Sequence, residues 1–438
     1  MSKIKNKKIF LAIGLSLALV LVLTGLGCKK QQDAQKTPAK KITINWWRLW
    51  DASDVFSSAI ESYEKAHPNV KIEYKKLTYP EYENAIIESL ASGKGPDIWS
   101  IHNTWILKHL DKLAPAPKTL LTPQQYQETF VDVAAEDFII TDQVYGLPFS
   151  VDTLALYYNK DLFNTAAIVS PPATWEEFKE DVKKLTKTDE AGNIIQAGAA
   201  LGTAKNVNRA VDVLYLLMLQ NGTQMISQDK KSAVFNQKVK TKEGETFIPG
   251  LDALIFYTDF ANPKKTVYAW NPNMPNSIDA FVDEKTAMIF NYSYQDATIK
   301  SKAPKLNYAI ASCPQIEADP QKAVNFANYW GEVVSSASSN RDVAWDFLLY
   351  LAKKENMENY ARLTKRPASR RDIIESQLED PDLKIFAKQA LSAKSWYQKD
   401  AAAIESIFSE TIESVVLGET TAEDALNKAV VQMSALMR

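Results

Sequence analysis

Apolar and polar positions first alternate, then recur at helical spacing, near the start of the long polar-flanked body of the chain. Ile42, Ile44 and Trp46 alternate with polar residues and predict a strand, after which Phe56, Ala59, Ile60 and Tyr63 recur as one face of a helix. His67-Pro68-Asn69 stops that helix, and Val70, Ile72 and Tyr74 predict a second strand. A second helix opens near Pro80, carries Tyr82, Ile86, Ile87 and Leu90, and ends in Ser92-Gly93-Lys94-Gly95-Pro96. Asp97 to Ile101 then gives a third strand. Such a βαβαβ unit implies a parallel sheet with right-handed crossovers, and ligands bind beyond the carboxyl ends of its strands. Trp47, Arg48, Trp50 and Asp51 leave the first strand and His102, Asn103 and Trp105 leave the third, so one rim is polar and aromatic.

Further along, Thr174-Trp175-Glu176-Glu177 is a capping box opening a helix through Leu185, and a longer apolar helix covers Val211 to Leu219. Short apolar stretches at Phe281–Phe290, Tyr308–Cys313 and Tyr329–Ser335 suit strands or their approaches. Helical patterns at Val343–Leu351, Ala403–Leu417 and Ala422–Met437 finish the chain, the last behind Thr420-Thr421-Ala422-Glu423 as a capping box. The 438 residues exceed what one hydrophobic core organises, about 250–300, so two bodies are expected.

The first residues change the picture. Lys3, Lys5, Lys7 and Lys8 precede an apolar run from Ile9 to Leu26, then Gly27-Cys28, the order of a secretory signal. Removing residues 1–27 takes away four lysines and no acids, so the formal charge goes from −2 to −6. An acidic exported chain is not a nucleic-acid binder, which needs a basic face. Residues 29–41, KKQQDAQKTPAKK, are polar without apolar periodicity and suit a flexible tether. Cys28 and Cys313 are the two cysteines, so no disulfide framework exists, and Cys313 is expected to be a buried apolar residue.

Three histidines, with no His-Glu-x-x-His, cysteine pair or phosphate-cradling glycine loop, leave no common metal or nucleotide chemistry, and no cofactor or metal is expected. Ten Trp and 18 Tyr fall largely at loop-like positions. Aromatic faces pack against the C–H faces of pyranose rings, and carboxylates and amides hold the hydroxyls at the edge. On these grounds Trp47, Trp50, Asp51, Asn103, Asp152, Trp270, Asn291, Tyr292, Tyr294, Trp330 and Trp396 are the candidate ligand-binding residues. The segment Gly202–Arg209 offers amides and a cation at a helix start, with a solvated loop as the alternative.

The run GLPFSVDTLALYYNKDLF, Gly146 to Phe163, places one carboxylate, Asp152, before a strand apolar on both faces. It resembles the signature of the family 1 extracellular solute-binding proteins, with Thr165 where a charged or amide residue is usual. ASGKGPDIWSIHN, KTAMIFNYSY and RPASRRD are similar to further motifs of the family, and Gly25-Leu26-Gly27-Cys28 resembles a lipobox lacking its usual leucine. The resemblance implies an α/β, two-lobed periplasmic-binding-protein fold of type II-like form, each lobe a mostly parallel sheet flanked by helices, joined by a hinge. It divides the chain into a lipoprotein signal peptide (1–27), a lipidated Cys28 with tether (28–41), lobe 1 (42–150 and 313–363) and lobe 2 (151–312 and 364–438). Crossings are implied near Val151, near Cys313 and after Leu363.

By the same resemblance Asp152 contacts sugar, Asn103 ends the Gly-Pro-Asp strand, Tyr294 replaces a tryptophan, Tyr292 replaces a glycine and Trp396 stacks on a ring. The implied protein is no enzyme. It is a monomer held by lipid on the outer face of the cytoplasmic membrane, delivering a carbohydrate to an ABC permease. A glycan-cleaving enzyme, with Asp51 and Asp152 as acid and base, and a sensory binding protein are the alternatives.

Overall fold

The computed structural model describes residues 40–241 and 244–437. The signal segment, Cys28 and nearly all of the tether lie outside them. β1 (Ile42–Leu49), α1 (Ser57–Ala66), β2 (Val70–Leu77), α2 (Tyr79–Ala91) and β3 (Ile98–His102) form the expected βαβαβ unit, with β1 parallel to both β2 and β3. The strand Trp330–Ser335 lies antiparallel on the other side of β3 and carries Leu113–Ala114 and Gly146–Pro148 beyond it.

Trp46, Tyr63, Tyr82, Trp99 and Trp345 fill the first of two hydrophobic clusters. The second is built around Leu154–Tyr157, the helix Ala210–Gln220 and the two C-terminal helices, Ala401–Val416 and Ala422–Met437. Its three-stranded sheet has Ala155–Asn159 at the centre and Met288–Asn291 and Tyr308–Ala311 at the flanks, both pairings antiparallel. A mostly parallel sheet was expected there. The chain enters this body along the central strand, and both flanking strands lead back toward the entry, which sets the opposite direction. Residues 281–290, expected as a strand or its approach, divide between the end of the helix Ser277–Val282 and the strand beginning at Met288.

Three segments run side by side between the clusters, Asp152–Thr153, Asn325–Asn328 and Ala393–Lys394. Val151 packs in the first cluster and Leu154 in the second, while Cys313 is buried in the second cluster and Phe326 and Ala327 divide between the two. Ala368, Ile373 and Ile374, expected with the second body, pack in the first, and the chain changes sides around Ala393. Tight local hydrogen bonding explains the helix starts. Thr174 caps with Glu177 as the motif requires, whereas the last helix is capped by Thr421, which takes the N–H of Asp424 at 3.1 Å.

Candidate ligand cleft

At the end of β1 the backbone turns through a left-handed residue, Trp50, with φ 66°. This conformation is uncommon outside glycine and presents the indole outward; Trp50 is 47% exposed. Its ring stacks on Tyr79 at the start of α2, centroids 5.4 Å apart. Tyr79 meets Trp330 edge to face at 6.2 Å, and Trp330 meets Trp105 at 5.1 Å and His102 at 5.2 Å. All five come from the exits of β1, β2 and β3 or from the adjoining strand, so the parallel sheet gathers them along one rim.

Opposite this wall stand Arg209 and Asp212 at the start of the helix Ala210–Gln220, with Gln398, Asp400 and Glu405 near the start of the helix Ala401–Val416. The space between is a cavity of about 550 Å³. An inner compartment of about 310 Å³ adjoins it and shares Trp50, Arg209, Asn328 and Trp330. Burial lowers the His102 pKa to about 4, so the ring is neutral. Asn328 Oδ1 can only accept, so the His102 Nε2–H donates to it over 3.1 Å and turns the Asn328 amide N–H₂ toward the cleft.

Asp152 lines the inner compartment, and its carboxylate accepts from Ser293 N at 3.1 Å, Ser293 Oγ at 2.7 Å and Thr153 N at 2.9 Å. Burial pushes its pKa up to about 6 against those hydrogen bonds. Arg209 donates to the Tyr294 hydroxyl from Nε at 2.9 Å and Nη2 at 2.6 Å, with its guanidinium over the Tyr292 ring.

The sequence model of the bacterial extracellular solute-binding proteins matches residues 58–385. The chain belongs to this family. The galactooligosaccharide-binding protein of Bacillus subtilis (strain 168) is 23% identical over 426 residues, 94% of this chain and 93% of its own. The multiple sugar-binding protein of Streptococcus mutans is 22% identical over 372 residues, 84% of each chain. Among solved structures, the cyclic alpha-maltosyl-1,6-maltose binding protein of Arthrobacter globiformis superposes with TM-score 0.75 at 19% identity, over 91% of this chain and 99% of that one. The two-lobed α/β fold of the solute-binding proteins is thereby established here.

Of the residues expected at the site of this solute-binding protein, Trp50, Asp152, Tyr294 and Trp330 meet at the cleft. The others are held elsewhere. Asp51 is buried and engaged by Arg48 at 3.2 Å and Arg366 at 3.1 Å, so it closes a charge network instead of facing the cavity. Trp47 lies under the Lys75 ammonium, 4.1 Å from the ring centroid. Trp270 is fully buried in the second cluster, its indole N–H given to Asn206 Oδ1 at 3.1 Å. Asn291 donates to Asn208 at 2.8 Å, and the Tyr292 hydroxyl donates to Asp212 at 2.9 Å, both from buried positions. Asn103 donates to Asp137 at 2.9 Å, and the buried Trp396 packs edge-on against Tyr215 at 5.0 Å; both border a separate cavity of about 230 Å³.

Tyr79, Gln398 and Glu405 were not expected. Tyr79 had a signal, since it follows β2 directly and so stands at a strand exit like Trp50. Gln398 and Glu405 had none, because only the tertiary fold brings the C-terminal region to the rim. Among the described residues no cluster of His, Cys, Asp or Glu is arranged to hold a metal, and no helix is long and apolar enough to cross a membrane.

Proposed function

We propose that this solute-binding protein captures a carbohydrate in the cleft, unmodified, and delivers it to an ABC permease. The observation that carries the reading is the wall of Trp50, Tyr79, Trp330 and Trp105 facing Gln398 and Glu405 across the 550 Å³ cavity. Such a wall suits the C–H faces of sugar rings, and the facing amide and carboxylate suit their hydroxyls. The sugar-binding names of its relatives support the same class of ligand. Two hydrophobic clusters joined by three narrow crossings suit an open and a closed state, the ligand touching both sides only when closed. Asp51, tied to two guanidiniums, is unsuited to act as a glycosidase acid or base.

Attachment through a lipid on Cys28 belongs to the same proposal, supported by the basic, apolar and small-residue order of residues 3–28. The protein then works as a monomer at the outer face of the cytoplasmic membrane. Cys28→Ser is expected to release it from the membrane fraction.

Titration calorimetry of the purified protein against neutral di- to tetrasaccharides, followed by chromatography of each mixture, tests the central reading. Saturable binding with the sugar recovered intact is expected. Silence across the whole panel, or appearance of cleavage products, would refute it.

A further inference from the structure

The two compartments of the cleft differ in what they leave open for hydrogen bonding. On the outer one, Glu405 is exposed and forms no hydrogen bond among the described residues, and the buried Gln398 has an amide without a protein partner. A neutral hydroxyl, which both donates and accepts, finds both kinds of partner there. The inner compartment is lined by Arg48, Arg209 and Arg366 against one carboxylate, Asp152.

Three donors already occupy Asp152. Asp51, the counter-ion of Arg48 and Arg366, is only 7% exposed, and Asp212 beside Arg209 is 15% exposed. Arg209 lies 3.8 Å from Asp212, too far for a hydrogen bond, and spends Nε and Nη2 on the uncharged Tyr294 hydroxyl. Its Nη1, the atom nearest Asp212, makes no hydrogen bond among the described residues, and none uses Arg366 Nε. Burial also pushes the Asp212 and Asp152 carboxyls up to about 6, which weakens the anion beside Arg209 and the one that Arg366 attracts in mildly acidic solution.

Three guanidiniums against one carboxylate make the compartment cationic. An oxyanion only accepts and takes charge-assisted bonds from a guanidinium, about twice as strong as those a neutral hydroxyl makes. Arg209 is itself left-handed, φ 64° and ψ 24°, a conformation non-glycine residues keep where surrounding structure and function hold it.

We propose that the inner compartment takes an oxyanion carried on the captured saccharide, a hexuronate carboxylate or a phosphate ester, and that Arg209 is the residue that meets it. This rests on the carbohydrate reading above.

The test is calorimetry of the purified protein with matched sets, each a neutral oligosaccharide, its uronate counterpart and its phosphate ester. At least one acidic member is expected to bind about tenfold tighter than its neutral match, the advantage shrinking with added salt. Which arm shows the advantage identifies the oxyanion. Arg209→Gln should remove the advantage. Arg209→Gly, whose relief of the left-handed backbone partly offsets the lost contacts to Tyr294 and Asp212, should remove it too while still unfolding cooperatively. Neutral sugars binding as well as acidic ones, or a preference that survives in R209G, overturns the inference and leaves the carbohydrate reading standing. Failure of every saccharide to bind removes the reading beneath it.

Discussion

Trp50 and Tyr79 stack with their planes 23° apart, although one leaves β1 and the other opens α2 after β2. Both are about half exposed, so the pair is not core filling. Each ring covers one face of the other, and both residues line the 550 Å³ cavity, extending the wall that Trp330 and Trp105 continue. The pair keeps an otherwise costly exposed aromatic surface in one orientation before any ligand arrives, which lowers the ordering cost of binding.

Trp50→Ala should therefore weaken saccharide binding about tenfold, the loss of about 1.4 kcal/mol expected for one aromatic platform. Thermal stability should change little, because the indole is exposed and alanine keeps the one Cβ that the left-handed turn already accommodates. Calorimetry beside a melting curve decides it. An unchanged affinity moves the stacking surface elsewhere.

The βαβαβ unit was legible because its helices and strands are amphipathic, and each period change marks an element boundary that local chemistry enforces. The site was legible only in part. The exit of the first strand pointed to Trp50, which lines the cavity, but an aromatic in a loop does not reveal what packs over it. Trp270 and Trp396 look alike in sequence to Trp50, and distant helices bury both. Asp51 looked free until Arg366, 315 residues further along, met its carboxylate. Such long-range pairings carry no periodic signal.

Trp270→Ala accordingly tests a core position. Removing a fully buried indole leaves a cavity and strips Asn206 Oδ1 of a donor, a loss of about 3–5 kcal/mol. Urea unfolding should show a markedly lower midpoint, while whatever folded protein remains binds sugar with wild-type affinity. A stable variant with weakened binding would return Trp270 to the cleft.

Asp152 sets a pH dependence of distinct sign. Its folded pKa is pushed up to about 6 by burial, above the ordinary carboxylate value of about 3.9 that the unfolded chain keeps. Between these values the folded chain holds the extra proton, so this stabilisation is complete at low pH and is lost as pH rises through about 6. A salt-bridged carboxylate does the reverse. Asp137, Asp181 and Asp212, raised likewise, act in the same direction. Melting temperatures of wild type and Asp152→Asn between pH 4 and 7 should show a shallower decline in the variant; parallel curves would mean that Asp152 titrates normally.

Gln389 ties two strands of the second body together where the chain enters it. Its Nε2 donates to Leu154 O at 2.8 Å and Thr153 Oγ1 at 3.0 Å, and its Oε1 accepts from Cys313 N at 2.9 Å. With the side chain 3% exposed, no water can replace these bonds. Gln389→Leu keeps the volume and orphans the Cys313 N–H outright, while Leu154 O retains the weaker Cys313 Sγ–H at 3.2 Å. Each orphaned buried group costs about 1–3 kcal/mol, so the urea midpoint should fall by a corresponding amount. Glu should not rescue it, because a carboxylate cannot donate to the Leu154 carbonyl and would be buried beside it. A Leu variant as stable as wild type would show that these strands are held by packing alone.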